Sequence, residues 1–337
     1  MTKPKKAAPK KAASAIVNPA ALFRTLEAGG VFGGVRADFY HSDPLPKPSV
    51  SSHFLATLDT KSPRHAWVGH SRLNPAWTRR KSTDGQDFGS AAHAAVLGAG
   101  RVKIIDARNY QTDFAKTARK QALLNGEIPV LQPRWETIQE MKRVLLAKLS
   151  SIDSPIPNVF DKQYQGMPEV MAAWLEDGIW CRALADFWIK PQPAFLFAPD
   201  GLIVDYKTTA ESAAGEEWPR TLYGMNGDFQ PVWYRHGFNM AMRQGNPDTP
   251  RPKLPRFIYV VQEIEEPFAS EIFELSDVAT EHARAKMINA FWRAKVCLDT
   301  GEWPDYPSRI NKIDPPQWQL QREEFRRVAS TVMQGGI

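Results

Sequence analysis

Apolar positions along this chain recur with two different periods, and each period predicts a different element. Over residues 132–149, Ile138, Met141, Val144, Leu145 and Leu149 fall on one helical stripe, so a helix there packs one face on a core. The run from Phe88 to Gly98 is rich in Ala and Gly and predicts a helix suited to close packing. Phe229 to Met242 and the longer stretch from Asp277 to Thr300 also read as helices. Elsewhere the pattern is that of strands. Ile179 to Trp188 is largely apolar, and Leu202-Ile203-Val204 forms a continuous apolar run, as a strand buried on both faces requires. Arg256-Phe257-Ile258-Tyr259-Val260-Val261 is another such run, and Phe268 to Leu275 roughly alternates like a half-buried strand. Between Trp188 and Leu202 the residues Pro191, Pro193, Pro199, Asp200 and Gly201 predict a hairpin connection.

Punctuation supplies the boundaries. Residues 16–30 read as a short helix closed by Gly29-Gly30. Three prolines within 41–48 break the chain, Ser49-Val50-Ser51-Ser52 can cap a helix entering at Phe54, and Lys61-Ser62-Pro63 stops it. The aromatic segments around Trp303, Tyr306 and Trp318 read as irregular chain packed on the core. No internal repeat is visible. Helices, a block of strands around residues 178–275 with one helix inserted, and a final helix predict an α/β fold with a central mixed β-sheet flanked by helices.

The 337 residues, 43% of them hydrophobic, suffice for a large core. No apolar run approaches the length of a membrane span, and the start of the chain lacks the apolar centre of a secretory signal, which predicts a cytoplasmic protein without membrane partners. Two cysteines, Cys181 and Cys297, are too few for a disulfide framework or a four-cysteine cluster. The net charge of +6 is concentrated in Lys3, Lys5, Lys6, Lys10 and Lys11, leaving the body close to neutral. Residues 1–15 read as a disordered basic tail, 16–325 as one domain and 326–337 as a C-terminal tail.

Candidate chemistry clusters on the two apolar strands. In Asp205-Tyr206-Lys207 the acid and the lysine share one strand face while Tyr206 points away. A carboxylate and an ammonium on a buried strand must pair with each other or hold something charged, and a divalent cation with a phosphate satisfies both. Asp186 adds a second carboxylate from the neighbouring strand. Two acids and a lysine converging in this way are the minimum equipment for metal-dependent phosphodiester cleavage. Gln230 and Tyr234, four apart, share a helix face. An Asp-x-Lys triplet alone is common and reads more simply as a surface ion pair. Likewise, His93 among alanines reads as a satisfied core group, and Glu169 as a solvated acid at a helix start or in an edge strand.

Taken in order, these residues resemble the PD-(D/E)XK nuclease superfamily, and within it the C-terminal nuclease domain of RecE (exonuclease VIII) and its phage-borne relatives. The likeness rests on Tyr40-His41-Ser42-Asp43-Pro44 with Ser49 to Ser52, Phe88-Gly89-Ser90-Ala91-Ala92-His93, Pro168-Glu169-Val170 with Trp174, and Asp186 with Asp205-Tyr206-Lys207. Gln230 to Tyr234, and Cys297 with Thr300 to Pro304 and Tyr306, complete it over roughly residues 30–320. Ala185 stands where the superfamily's name has proline, and the basic tail has no counterpart. The resemblance implies a restriction-endonuclease-like core and a Mg2+- or Mn2+-dependent deoxyribonuclease that leaves a 5′-phosphate. It implies Asp186, Asp205, the Tyr206 carbonyl, His93 and Glu169 around the metal, Lys207 as the catalytic cation, and Gln230 and Tyr234 on the DNA backbone or bracing the site. It further implies a 5′→3′ exonuclease on double-stranded DNA ends in phage-type recombination, a ring-shaped homo-oligomer and a single-strand annealing partner. A structure-specific or restriction-type endonuclease, and an inactive DNA-binding or assembly protein on the same core, are the alternatives.

Overall fold

The computed structural model describes residues 19–79, 82–248 and 253–334; the basic tail of residues 1–15 lies outside them. The chain divides into two compact units, the first ending at Pro304 and the second beginning at Asp305. The first unit opens with α1 (Pro19–Arg24), β1 (Gly30–Phe32), α2 (Ala37–His41), α3 (Ser52–Thr60), α4 (Pro63–Gly69) and α5 (Asp84–Leu97). Next come β2 (Val102–Ile105), α6 (Asp113–Leu124), β3 (Ile128–Leu131) and α7 (Gln132–Leu149). The main strands are β4 (Met167–Glu176), β5 (Ile179–Ile189) and β6 (Leu202–Thr209). α8 (Trp218–Gly224) and α9 (Phe229–Gly245) lead to β7 (Arg256–Glu263) and β8 (Ser270–Phe273), and α10 (Asp277–Thr300) follows.

Six strands form a central mixed sheet in the order β1-β4-β5-β6-β7-β8, flanked by helices as the sequence pattern predicts. From β1 through β4 and β5 to β6 each strand runs antiparallel to the next, β7 is parallel to β6, and β8 is antiparallel to β7. A parallel neighbour needs a long crossover, which α8 and α9 supply. One face of the sheet packs Val170, Ala172, Trp174 and Ile203 against α3, α9 and α10. The opposite face packs Leu202, Val204 and Tyr206 against α5 and α7. Gly237 brings α9 close to the sheet, since a Cβ there would overlap the Trp174 ring. Ser51 caps α3 as read, accepting from Phe54 N (3.3 Å), and Gly98 ends α5 in the left-handed region at φ 72°.

Three readings need correction. The helix expected over 16–30 ends at Arg24, and Gly30 instead starts β1, opposite Ala173. Glu169 lies in neither a helix start nor an edge strand but in β4, flanked by β1 and β5. The parallel pair β2-β3 adds two strands to those predicted, because strands of four residues carry almost no periodicity, and it encloses α6, which Thr112 caps. Trp303 packs on the core as read, but in the second unit a helix (Gln317–Gln334) begins within the segment around Trp318 that was expected to be irregular, and Tyr306 and Trp318 are exposed. Among the described residues no helix is long and apolar enough to cross a membrane.

A buried polar knot ties the N-terminal helices to β5. Asp43, fully buried and left-handed at φ 57°, accepts from Ser49 N (3.0 Å) and Ser49 Oγ (2.6 Å) and pairs with the Arg182 guanidinium (2.9 Å). Arg182 also donates to Ser49 O (2.9 Å). Burial lowers the pKa of His70, so the ring is neutral; Nε2 donates to Ser49 O (3.0 Å) while Nδ1 accepts from Arg72 N and Leu73 N. Removing one partner of such a pair strands the other charge in a dry interior. Asp43→Ala is therefore expected to cost about 3–5 kcal/mol in urea unfolding, with most of the loss recovered in Asp43→Leu/Arg182→Met. A loss below about 1 kcal/mol for the single variant would show that Arg182 is otherwise compensated.

Candidate active site

The site lies where β5 and β6 part. These strands pair only at Phe187↔Val204, Trp188↔Ile203 and Ile189↔Leu202. Beyond Val204, β6 continues along β7 while β5 stays with β4. The Tyr206 N–H has no β5 carbonyl opposite it and donates to Asp186 Oδ2 instead (3.0 Å). A side chain thus replaces a rung of the ladder, and the backbone aims the carboxylate.

The same level carries a break in strand alternation. Ala183 and Ala185 pack on the α9 side of the sheet, whereas Phe187 packs on the α5 side. Across the β4 ladder, Pro168 pairs with Phe187 and Val170 with Ala185, which sets Glu169 opposite Asp186. Glu169 takes a left-handed φ of 52°, and its carbonyl accepts from Val35 N (2.9 Å) outside the regular ladder. A non-glycine residue in this region is strained, at a cost of order 1–3 kcal/mol.

Asp205 and Lys207 project from the same face of β6 and form a close ion pair, with Asp205 almost wholly buried. Gln230, in the first turn of α9, donates its amide to Asp205 Oδ1. Asp205 Oδ2 is enclosed and is held by the Lys207 ammonium. From the other side of the sheet, α5 brings His93 Nδ1 to 3.4 Å from Asp186 Oδ2, with its ring 5.2 Å from that of Tyr206. Tyr234 is buried and bonds to the backbone of Leu184, one turn of α9 beyond Gln230.

Electrostatics follow from this enclosure. Burial pushes the Asp205 carboxyl up to about 6; Lys207 opposes the shift and Asp186 reinforces it. Burial also raises Asp186, against the pull of Lys207 and of the Tyr206 N–H. Glu169 is raised by burial, with Arg36 opposing and Asp186 and Asp38 adding to the shift. Burial and the nearby Lys207 lower His93 to about 4, so its contact with Asp186 at neutral pH is polar rather than ionic. For Lys207, burial favours the neutral amine, but Asp205 and Asp186 outweigh it and raise the pKa.

Six of the eight candidate residues are joined by direct contacts: Asp186, Asp205, Tyr206, Lys207, His93 and Gln230; Tyr234 meets the backbone of Leu184, two residues before Asp186. Glu169 joins through strand register. Arg36, whose charge acts on Glu169, was not among the sequence candidates, and nothing local in the sequence marks it. Among the described residues no three His, Cys, Asp or Glu side chains form a closed metal cage. A hard cation such as Mg2+ keeps several waters and needs only one or two carboxylates. The hard oxygens of Asp186 and Asp205, raised towards protonation by burial and brought to one opening, fit that requirement.

No family model matches this chain, and no curated protein matches it. Among solved structures, the chain is similar to a "Putative exonuclease" from Eubacterium rectale, with 14% identity over 85% of this chain and 97% of that one and a TM-score of 0.48. A second solved chain, SSO0001, gives 12% identity over 70% of this chain and 91% of that one and a TM-score of 0.23. Likeness at this level carries no argument about chemistry.

The raised Asp205 has a consequence for stability without metal. A carboxyl that titrates near 6 folded and near 3.8 unfolded favours the fold at low pH, and that contribution is lost as pH rises from about 4 through 6. The loss is on the order of 3 kcal/mol. Asp205→Asn is expected to lack this component, so the difference in stability between variant and wild type should move in the variant's favour between pH 4 and pH 7. Denaturant titrations in chelator across this range measure it, and parallel pH curves for the two proteins would contradict the assignment.

Proposed function

We propose that the chain is a metal-dependent deoxyribonuclease, acting as a 5′→3′ exonuclease on double-stranded DNA ends like the RecE nuclease domain. The observation that supports it most is the convergence of Asp186, Asp205 and Lys207 at the opening between β5 and β6. The order of motifs along the sequence supports the narrower reading. On that reading the protein serves phage-type recombination, assembles as a homo-oligomeric ring and passes its product to a single-strand annealing protein.

Asp186 and Asp205 would hold Mg2+ or Mn2+, with the Tyr206 carbonyl, Glu169 and His93 beside them. The bound cation supplies charge to the scissile phosphate and acidity to a water. The rest is the work of side chains. The Tyr206 N–H fixes the Asp186 carboxylate, and the Gln230 amide fixes that of Asp205. Both acids act ionised, and Lys207 favours that state. The Lys207 ammonium, kept protonated by the two acids, offsets charge that gathers on the phosphoryl oxygens as water adds and the 3′-oxygen leaves. Neutral His93 can accept or donate one hydrogen bond without adding charge. Tyr234 lies too deep to meet DNA without rearrangement and braces β5 through Leu184.

Digestion of end-labelled linear duplex with Mg2+, beside a covalently closed circle, tests this reading. Progressive loss of the linear DNA from its 5′ ends, with the circle intact, is expected. Cleavage of the circle would favour the endonuclease alternative, and no cleavage of either would overturn the proposal.

Lys207→Ala and Asp205→Ala are each expected to lower cleavage at least about 10²-fold while circular dichroism stays native. Turnover near wild type in either variant would remove that residue from the reaction. Chelator should abolish activity, and Mg2+ or Mn2+, but not Ca2+, should restore it, because Ca2+ holds looser geometry and activates water less.

A further inference from the structure

Gln230 holds Asp205 only if the start of α9 is itself held, and that turn is tied down at each step. Asn226 adopts a left-handed φ of 54°, and Gly227 N donates to Leu222 O (2.8 Å) in a space where a Cβ would overlap the Leu222 side chain. The Gly227 carbonyl accepts from the hydroxyl of Tyr259 (2.8 Å), the residue that pairs with Asp205 across the β6–β7 ladder. Asp228 follows, fully buried, with Oδ2 on Lys286 Nζ of α10 (2.8 Å). The Lys286 ammonium also lies 4.8 Å from the centre of the Phe229 ring. Two residues after Asp228 comes Gln230.

The Asp228–Lys286 pair is costly as a stabilising device. Asp228 Oδ1 has no hydrogen-bond partner among the described residues, and its side chain makes no capping bond to α9. A well-packed apolar pair of similar volume would often serve the fold as well or better. What the pair supplies is a directional tether from α10 to the residue two positions before the one that touches the reaction centre.

We propose that Asp228 and Lys286 are positioning residues for the candidate active site, fixing the first turn of α9 so that the Gln230 amide stays on Asp205. This rests on the nuclease reading for its catalytic consequence but not for its geometry. A displacement of about 1 Å at a reacting centre can cost on the order of 10²-fold in rate. The bland alternative is an ion pair that merely ties α9 to α10.

The test uses Lys286→Arg, Lys286→Met and the uncharged pair Asp228→Asn/Lys286→Met, each with and without Gln230→Ala. Lys286→Met strands the buried Asp228 charge and can weaken the fold, so the uncharged pair is the deciding variant. Two readouts are taken: DNA cleavage with Mg2+, and the Gln230 side-chain amide resonances of metal-free, 15N-labelled protein. The uncharged pair should cut about 10-fold to 10²-fold more slowly, add little further loss to Gln230→Ala, and shift the Gln230 amide towards its solvent-exposed position. Lys286→Arg should restore both. An unchanged amide signal in the uncharged pair, or a rate loss that multiplies in full with Gln230→Ala, would overturn the proposal. If the wild type cuts no DNA, the nuclease reading fails alone and the amide signal still decides the positioning role.

Discussion

A single hydrogen bond, from the Tyr206 N–H to the Asp186 carboxylate, stands at the point on which this structure turns. Buried backbone donors must be satisfied. Where β5 and β6 cease to pair, the donor on β6 can be satisfied only by something that reaches into the gap. Asp186 does so, and its position then follows from backbone geometry rather than from a freely rotating side chain. The kink that re-aims β5 at this level, matched by the left-handed Glu169 on β4, opens the sheet enough for α5 and α9 to reach the same place from opposite faces.

Asp43 with Arg182, Asp205 with Lys207, and Asp228 with Lys286 are three ion pairs with a buried acid. Each takes charge out of water, and such pairs seldom repay their desolvation in full. They hold, respectively, the N-terminal helices against β5, the candidate catalytic lysine beside its acid, and α9 against α10. The apolar clusters on the two sheet faces supply the stability that lets these costs be carried. Polar atoms without hydrogen bonds among the described residues, Arg182 Nε and Asp228 Oδ1, remain on two of the three pairs. Stability given up in polar groups at one place is what a site built for chemistry rather than for packing would show.

Much of the architecture was legible in the sequence. The runs around Ile203 and Val260, the stripe of α7 and the whole of α10 have strong local patterns, and Ser51 and Gly98 carry their capping roles in their residue types. Asp205 and Lys207 were legible as neighbours because strand period alone puts them on one face. Asp186 could be placed on the adjacent strand, but not the divergence of β5 from β6 that gives it the Tyr206 amide. The alternation break at Glu169 was hidden, since a left-handed glutamate has no sequence signature. The Asp43–Arg182 and Asp228–Lys286 pairs join residues far apart in sequence, and no local pattern reports such contacts. β2 and β3 were too short to show a period.

The most direct measurement is anomalous diffraction from crystals grown with Mn2+. A peak in contact with the carboxylates of both Asp186 and Asp205, at the opening between β5 and β6, is the expected result. A peak elsewhere, or an ordered site in which Asp205 keeps only Lys207 and Gln230 while no ion binds, would contradict the claim that this opening is the reaction centre.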